Sequence, residues 1–245
     1  MIVVIPSYQR ASLCNQKTLT TLHQHQIPKE FIYVYVVEEE YELYQQTLNP
    51  LYYNQIIIGK KGLVNQRHFI QKQYPEGTHI VSLDDDIEKI DISLTKYTSL
   101  LEFMEDAFLE CEKRKSFIWG VYPLYNPFFR RFDIRTNLNY IVGCFYGFIN
   151  RYDADLDVTL CSGNKEDIER TIRYFMKDGI VLRFDKVGIK TKYYGTVGGL
   201  GNFVDRLKDS KKDCEILAEH FVGFGKIKQR KNGMYEFKLN RSYKK

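Results

Sequence analysis

Three consecutive carboxylates, Asp84, Asp85 and Asp86, follow a short apolar run at residues 79–83, HIVSL. Neighbouring carboxylates repel one another, so the cluster is stable only where water, basic groups or a cation neutralises its charge. Residues i and i+2 share one side of an extended backbone, so Asp84 and Asp86 can converge on one divalent cation, Mn²⁺ or Mg²⁺. The alternative is an acidic turn that caps a following helix.

A second candidate site is the loop at residues 59–62, GKKG, which precedes a stretch of helical periodicity. Backbone amides, the positive end of a helix dipole and the charge of Lys61 would together suit a diphosphate. Arg67, one turn into that helix, can add a bidentate contact to a phosphate or a carboxylate. The loop matches neither the Walker sequence nor GxGxxG, so a surface turn with solvated lysines is the alternative.

Strands and helices alternate along the first 90 residues. We predict strands at 1–6, 31–37, 55–58 and 79–83, and helices at 14–25, 41–48 and 63–73. This alternation predicts an α/β fold with a doubly wound, mostly parallel open sheet that binds ligands at the carboxyl ends of its strands. Residues 7–10, Glu38, the GKKG loop and the three aspartates then meet at one edge. A nucleoside diphosphate bridged to Mn²⁺ or Mg²⁺ would suit that edge.

The pattern changes after residue 90. We predict helices at 100–115, from about 164, and at 203–220, strands at 117–124, 140–150 and 180–194, and a hairpin at 225–239 that turns at Asn232-Gly233. Gly143 and Gly147 lie in the 140–150 strand and would leave room for another backbone or a ligand. Residues 1–204 are therefore predicted to form one domain, with a basic helix–hairpin extension at 205–245.

Composition restricts the class of protein. The chain has 245 residues, of which 44% are hydrophobic and 27% charged, as is ordinary for a soluble globular protein. No apolar run approaches the ~20 residues that cross a bilayer. We expect no secretory signal, because the first predicted strand is not preceded by a basic segment and a cleavage site. The five cysteines are widely spaced without a CxxC pair, which favours reduced thiols over disulfides or a zinc site. We therefore expect a cytoplasmic protein without a membrane partner.

Positive charge is concentrated at the C-terminus. Residues 205–245 carry 12 Lys and Arg against 6 Asp and Glu, whereas the first 204 residues carry 24 against 25. Such asymmetry indicates an anionic partner, and basic groups beside aromatic ones suit DNA. The predicted DNA-binding residues are Arg130, Arg131, Lys226, Lys228, Arg230 and Lys231, with Phe128 and Phe129 next to the first two. The alternative is a solvated basic tail that aids solubility.

Three segments carry a resemblance to a known family: IPSYQR after the first strand, GLVNQRHFI after the basic loop, and IVSLDDDI. They resemble the nucleotide-sugar half of metal-dependent A-type glycosyltransferases. More narrowly, the chain resembles the glycosyltransferases associated with DNA-base hydroxylases of the TET and base-J type in phages and eukaryotes. The likeness covers residues 1–90 and resumes at GNKEDIERT, GTVGGLG and the basic tail. Residues 115–160 do not align with the family, and acceptor choice is expected to reside there.

The resemblance implies an A-type, Rossmann-like fold with a nucleotide-sugar half at 1–90 and an acceptor half at 91–204. It also implies residue roles. In the DxD motif, Asp86 would bind the metal, Asp84 would lie near the ribose or a metal-bound water, and Asp85 would contact the donor sugar. The remaining nucleotide-sugar contacts would come from Pro6, Tyr8, Arg10, Glu38, Lys61 and Arg67.

An acidic residue at a helix start is the general base in inverting members of this fold. In NKEDIE that position corresponds to Asp167, with Glu166 as the reserve candidate. A carboxylate there would remove a proton from an acceptor hydroxyl as that oxygen attacks the anomeric carbon. The alternative is electrostatic stabilisation of the helix start, which favours acidic residues in first turns generally.

The resemblance implies transfer of a sugar from a UDP-sugar, UDP-glucose in particular, to the hydroxyl of a 5-hydroxymethylpyrimidine in DNA. A base in duplex DNA must leave the stack for such chemistry. Three alternatives stay open: the same transfer to a glycan or protein, nucleotidyl transfer with release of pyrophosphate, and a non-catalytic DNA-binding protein of the same fold. The sequence does not distinguish hydroxymethyluracil from hydroxymethylcytosine.

Overall fold

The computed structural model describes residues 1–161, 163–191 and 203–243. The glycine-rich stretch at 195–201 and the last two lysines, Lys244 and Lys245, lie outside the described residues. None of the helices in the described ranges is both long and apolar enough to cross a membrane.

Within these ranges, nine strands form one sheet. They are β1 (Ile2–Pro6), β2 (Ile32–Val36), β3 (Gln55–Ile58), β4 (His79–Leu83), β5 (Ile87–Asp91), β6 (Ile118–Tyr122), β7 (Ile134–Arg135), β8 (Phe145–Ile149) and β9 (Leu182–Thr191). Their order is β3-β2-β1-β4-β8-β6-β9-β5, with β7 beside β9. The first four strands are parallel, as the alternation of strands and helices predicted. β8 runs antiparallel to β4 and β6, so the second half of the sheet is mixed.

Helices cover both faces of the sheet. They are α1 (Ala11–Cys14), a π-helical turn (Asn15–Leu19), α2 (Thr20–Gln24), α3 (Tyr41–Thr47), α4 (Leu63–Lys72), α5 (Leu100–Arg114), α6 (Glu166–Asp178) and α7 (Phe203–His220). The side chain of Ser99 caps α5 by accepting the Glu102 amide at 3.1 Å. Gly179 ends α6 in the left-handed conformation that glycine adopts without strain.

Alternate residues of the strands belong to two different hydrophobic clusters. Val3 belongs to one cluster and Val4 to the other, because successive side chains of a strand point to opposite faces. The second cluster joins Ile172 of α6 to Leu217 of α7 and to Phe237 of the C-terminal hairpin, which comprises β10 (Gly225–Gln229) and β11 (Tyr235–Leu239). The C-terminal helix and hairpin therefore pack against the same core as α6.

The strand predicted at 140–150 is shorter than the sequence indicated. Only residues 145–149 form a strand. The segment before it bonds to α6 instead of to a neighbouring strand: the Ile141 amide donates to Thr171 Oγ1 at 3.2 Å, and the Gly143 amide donates to Asp167 Oδ2 at 3.2 Å. These bonds place residues 141–143 against the start of α6 and outside the strand.

The space left by Gly147 is filled by the side chain of Trp119, and not by another backbone or a ligand as the sequence had suggested. Gly147 lies opposite Trp119 in the register of β8 and β6. A Cβ at Gly147 would lie 2.3 Å from Trp119 Cε2, far closer than nonbonded carbon atoms pack. The fully buried indole therefore depends on the absence of a side chain at Gly147.

The substitution Gly147→Ala tests this packing. Because both strands are buried, we expect the clash to reduce the free energy of unfolding by about 1–3 kcal/mol, measured by urea denaturation. Lys89→Ala, at an exposed strand position, is the control and should change that free energy by less than about 0.5 kcal/mol. Equal stability of Gly147→Ala and the wild type would contradict tight packing against Trp119.

Candidate active site

The acidic segment lies between β4 and β5, where the chain leaves the parallel half of the sheet. Its backbone is fixed from two sides. The Asp84 amide donates to the Cys144 carbonyl at 3.0 Å, and Thr18 Oγ1 donates to the Asp84 carbonyl at 2.7 Å while accepting the Ile87 amide at 2.9 Å. Thr18 belongs to the π-helical turn, a distortion often found at functional sites.

Asp84 is the most open of the three aspartates, with 37% of its side chain exposed. Its Oδ1 accepts a hydrogen bond from Arg67 Nη2 at 3.2 Å. Loss of surrounding water raises the pKa of Asp84 to about 7, Arg67 opposes this rise, and the charges of Asp86 and Asp85 add to it. Although one face of the carboxyl group meets solvent, the protein and the neighbouring acids disfavour its charge. A cation beside Asp84 would relieve that repulsion.

Asp85 is buried and fully engaged by the first loop. Its Oδ2 accepts the Ser7 hydroxyl at 2.6 Å, and its Oδ1 accepts Arg10 Nη1 at 3.2 Å. Burial raises the pKa of Asp85 to about 6, and Arg10 and Ser7 limit the rise. Only 6% of the side chain is exposed. Its carboxylate holds residues 7–10 against the acidic segment, and the predicted contact of Asp85 with the donor sugar stays a prediction.

Asp86 turns towards β9. Its Oδ1 accepts the Thr191 hydroxyl at 2.6 Å, and its Oδ2 lies 3.5 Å from Arg10 Nη1. Across the described ranges, no group of three or more His, Cys, Asp or Glu residues is arranged as a complete metal site. Asp84 and Asp86 nevertheless offer the oxygen donors that Mg²⁺ and Mn²⁺ prefer, and such ions are commonly held by one or two carboxylates together with substrate phosphates. The donor set therefore fits a divalent cation that arrives with a phosphorylated ligand.

At the same edge of the sheet, two other residues that were predicted to contact the nucleotide sugar lie close together. Lys61 is exposed, and its Nζ lies 5.6 Å from the centre of the Tyr8 ring. Pro6 is buried at the end of β1, while Glu38 is exposed at the start of the turn after β2. Glu40 carried no motif that identified it in advance; its Oε2 accepts the Gln9 amide at 2.9 Å and so holds the first loop beside that turn.

Glu166 forms ion pairs with two arginines. It accepts a hydrogen bond from Arg67 Nη1, and its Oε2 accepts Arg170 Nη1 at 2.6 Å. Burial opposes the charge of Glu166, but Arg170 and Arg67 outweigh it and lower the pKa of the carboxyl group. With 5% of its side chain exposed, Glu166 has no open oxygen for a substrate proton. Its predicted role as the reserve base would require one of these two ion pairs to open.

Asp167 has the opposite environment. Its Oδ2 accepts hydrogen bonds from the Tyr140 hydroxyl and from the Gly143 amide, the latter at 3.2 Å, and its Oδ1 accepts the Ile168 amide at 2.9 Å. The residue is half-buried. Burial raises the pKa of Asp167, the adjacent Glu166 charge adds to the rise, and Tyr140 opposes it. Neighbouring acids with pKa values moved in opposite directions are characteristic of acid–base sites.

Arg67 joins these two groups of acids. Its Nη2 contacts both Asp84 Oδ1 at 3.2 Å and the Gly143 carbonyl at 2.9 Å, while its Nη1 contacts Glu166. The Gly143 amide in turn contacts Asp167. The sequence placed Arg67 at a diphosphate or carboxylate, and the structure places it at the carboxylates of Asp84 and Glu166. Tyr140 and Arg170 carried no motif that identified them in advance.

The predicted DNA-binding residues separate into two groups. Arg130 is buried and donates to the Asp91 carboxylate and, at 3.0 Å, to the Lys186 carbonyl, so the prediction that it contacts DNA is wrong. Arg131 is exposed and lies over the Phe128 ring at 4.9 Å. The exposed hairpin residues are Lys226, Lys228, Arg230 and Lys231, and Arg230 pairs with Glu236 at 3.1 Å.

Comparisons with known proteins show a likeness in structure alone. No protein-family model matches the chain, and no curated protein matches it in sequence. A mannosyltransferase from Pyrobaculum calidifontis, solved with GDP-Man and Mn²⁺, superposes with a TM-score of 0.54 at 12% identity over 90% of this chain and 63% of that one. GalNAc-T7, solved with UDP, GalNAc and Mn²⁺, superposes with a TM-score of 0.51 at 12% identity over 78% of this chain and 43% of that one. A mycobacterial protein superposes with a TM-score of 0.56 at 9% identity over 97% of this chain and 82% of that one.

These likenesses define the fold: the chain has the Rossmann-like α/β architecture of A-type glycosyltransferases. The chain spans less than two thirds of the length of the mannosyltransferase and of GalNAc-T7. Function must therefore be argued from the site itself.

Glu166→Gln tests the arginine bridge. Removing the charge leaves Arg67 and Arg170 buried with less compensation, so we expect a loss of about 3 kcal/mol in the free energy of unfolding, measured by urea denaturation. Glu105→Gln, at an exposed position on α5, removes the same charge and should leave stability within about 0.5 kcal/mol of wild type. If both variants are equally stable, the bridge does not hold α6 in place.

Proposed function

We propose that the protein is a metal-dependent glycosyltransferase that uses a nucleoside-diphosphate sugar. One observation carries the proposal: Arg67 and Gly143 connect Asp84 to Asp167 through contacts of 2.9–3.2 Å. A half-buried aspartate with a raised pKa therefore lies close to an acidic segment suited to a cation. Donor activation and proton removal would need these two groups side by side.

The donor would bind at the edge formed by the first loop, the GKKG loop and the acidic segment. Asp84 and Asp86 would hold Mn²⁺ or Mg²⁺, which when bound neutralises charge on the departing diphosphate. Tyr8 and Lys61 would contact the nucleotide, and Arg10 would orient the aspartates that it pairs with. The solved complexes of similar fold that contain GDP-Man or UDP together with Mn²⁺ support this choice of donor. We propose UDP-glucose as the first donor to test.

Asp167 would act as the general base. It would take the proton of an acceptor hydroxyl while that oxygen forms a bond to the anomeric carbon. The bond from that carbon to the diphosphate oxygen breaks at the same time, and the nucleoside diphosphate leaves with the electron pair. Attack opposite the leaving group inverts the anomeric centre. Tyr140 and the Gly143 amide would orient the carboxylate.

We propose the hydroxyl of a 5-hydroxymethylpyrimidine in DNA as the acceptor. An aromatic and basic surface supports this choice: Phe128, Phe129 and Phe132 are 65%, 48% and 53% exposed. Arg131 lies over Phe128 at 4.9 Å, and Arg135 lies over Phe132 at 3.6 Å. Exposed aromatic rings beside guanidinium groups suit unstacked bases and a phosphate backbone.

The basic hairpin adds to that support because it lies near α6. Lys165, which immediately precedes α6, acts electrostatically on Glu236 of the hairpin, whose pKa is lowered chiefly by Arg230, and on Asp167, where it opposes part of the rise in pKa. Lys228 also acts on Glu236. The hairpin and α6 also share one hydrophobic cluster, so a nucleic acid bound along the hairpin would lie on the side of the molecule that carries α6.

Asp167→Asn tests the proposed base. We expect transfer of glucose from UDP-glucose to hydroxymethylated DNA, followed by mass spectrometry of the nucleosides, to fall by at least about a hundredfold. Binding of UDP with Mn²⁺, measured by calorimetry, should persist because Asn keeps the shape of the side chain. Full transfer by the variant would remove Asp167 from the mechanism.

The pH dependence provides the matched check. Only the ionised carboxylate accepts a proton, and the pKa of Asp167 is raised, so transfer should increase with pH through an apparent pKa above the value of about 3.9 for an ordinary aspartate. A rate already constant near that value would contradict the assignment. Release of pyrophosphate in place of UDP would instead identify nucleotidyl transfer.

Removal of hairpin charge tests the acceptor. Replacing Lys226, Lys228, Arg230 and Lys231 by Gln should weaken binding of hydroxymethylated DNA and make its salt dependence shallower, by about 0.9 in the logarithmic slope for every phosphate that the protein no longer neutralises. Fluorescence anisotropy measures both quantities. The control replaces four exposed basic residues elsewhere, Lys72, Lys113, Arg114 and Lys115. Equal effects of the two variants would show that the hairpin has no special role in DNA binding.

A further inference from the structure

The connection between β6 and β7 carries an exposed hydrophobic surface at residues 124–132, which we call the aromatic loop. Five of its nine residues are large, exposed and hydrophobic: Leu124, Tyr125, Phe128, Phe129 and Phe132. In the described ranges, the other nine exposed residues of this kind are spread along the chain between positions 43 and 227. A contiguous exposed apolar patch is typical of a binding surface.

The aromatic loop is anchored by its one buried side chain, that of Arg130. This guanidinium donates to the Asp91 carboxylate and, at 3.0 Å, to the Lys186 carbonyl. The loop also packs closely against β9, because a Cβ at Gly188 would lie 2.8 Å from Arg130 Cδ and 2.9 Å from the Leu124 carbonyl oxygen. The exposed rings on either side of Arg130 are therefore presented by a fixed backbone, which reduces the entropy lost when a ligand binds.

Positive charge lies beside the exposed rings. Arg131 lies over the Phe128 ring at 4.9 Å and forms no ion pair within the described residues. Arg135 lies over the Phe132 ring at 3.6 Å and shares one carboxylate, that of Asp185, with a second arginine. Two further ion pairs beside the loop are balanced one to one, Arg130 with Asp91 and Lys186 with Asp133. The loop and its contacts therefore carry a positive surplus.

An unpaired DNA strand matches both the rings and the charge. Its bases offer open faces that stack on aromatic side chains, and its phosphates attract the guanidinium groups. In a duplex the base faces are stacked inside, so the exposed rings would meet the charged backbone and gain little. A symmetric contact between two copies of the loop would bring two positive surfaces together, which is unfavourable.

A short series of contacts joins the loop to the proposed base. Arg135 Nε and Arg183 Nε both donate to Asp185, each at 2.6 Å. Arg183 Nη1 donates to the Tyr140 carbonyl at 3.4 Å, and the Tyr140 hydroxyl donates to Asp167. The aromatic loop therefore borders the side-chain network that holds Asp167.

We propose that the aromatic loop binds an unpaired DNA strand in preference to a duplex, with the Phe128 and Phe132 rings stacking on bases. The inference names the strand state of the acceptor and in that respect rests on the proposed function. Strand binding itself requires neither a donor nor sugar transfer.

Fluorescence anisotropy tests the preference with a labelled, unmodified oligonucleotide of about 12 nucleotides, used alone and annealed to its complement. No nucleotide sugar is present, and the salt concentration is the same throughout. We expect the single strand to bind at least about tenfold more tightly than the duplex, because unpaired bases need not be unstacked first. The double variant Phe128→Ala with Phe132→Ala should weaken single-strand binding by at least about fivefold for each ring removed and leave duplex binding unchanged.

The matched control removes two exposed apolar side chains elsewhere, Leu43→Ala with Leu109→Ala, at positions that are 54% and 59% exposed. It should bind the single strand as the wild type does. Equal binding of the two DNA forms, or unchanged single-strand binding by the double phenylalanine variant, would overturn the inference. Sedimentation in which the wild type dimerises and that variant does not would overturn it as well. Single-strand binding without sugar transfer would support the loop while removing the proposed function, whereas transfer to duplex DNA without single-strand binding would do the reverse.

Discussion

The structure depends on the burial of one guanidinium group, that of Arg67. Only 10% of its side chain is exposed, and it is neutralised by acceptors from three separate segments: Asp84 after β4, the Gly143 carbonyl before β8, and Glu166 at the start of α6. A buried charge is tolerated only with such compensation. Arg67 therefore fixes the acidic segment relative to α6, and with it the distance between the proposed cation site and the proposed base.

The two acids at the start of α6 show how that constraint divides chemical roles. Glu166 faces Arg67 and Arg170, which lower its pKa, whereas Asp167 faces Tyr140 and the Gly143 amide while burial and Glu166 raise its pKa. Adjacent residues of the same charge thus acquire different properties from their surroundings. The charge of Glu166 stabilises the scaffold and at the same time makes Asp167 a better proton acceptor.

The fold is preserved at 9–12% sequence identity in the solved structures of similar architecture. At that identity the shared architecture reflects strand order and core packing, while the chemistry lies in a few side chains at the strand ends. The exposed phenylalanines at 128, 129 and 132 and the basic hairpin lie on the surface, where strand order and core packing do not dictate residue type. They are the features from which acceptor choice has to be argued.

The sequence by itself determined the first half of the fold, because period-two and helical patterns are local. The four parallel strands, the helix at 63–72 and the acidic segment after β4 followed from such patterns, as did the helix start that carries Asp167. Only the tertiary structure decided which charges are buried. Arg67 meets Glu166 from 99 positions away, Arg130 meets Asp91 from 39 positions away, and residues 141–143 bond with α6 instead of extending β8. The ion-pair partner of a charged side chain and its burial have no local signal in the sequence, since both arise from packing between segments that are distant along the chain.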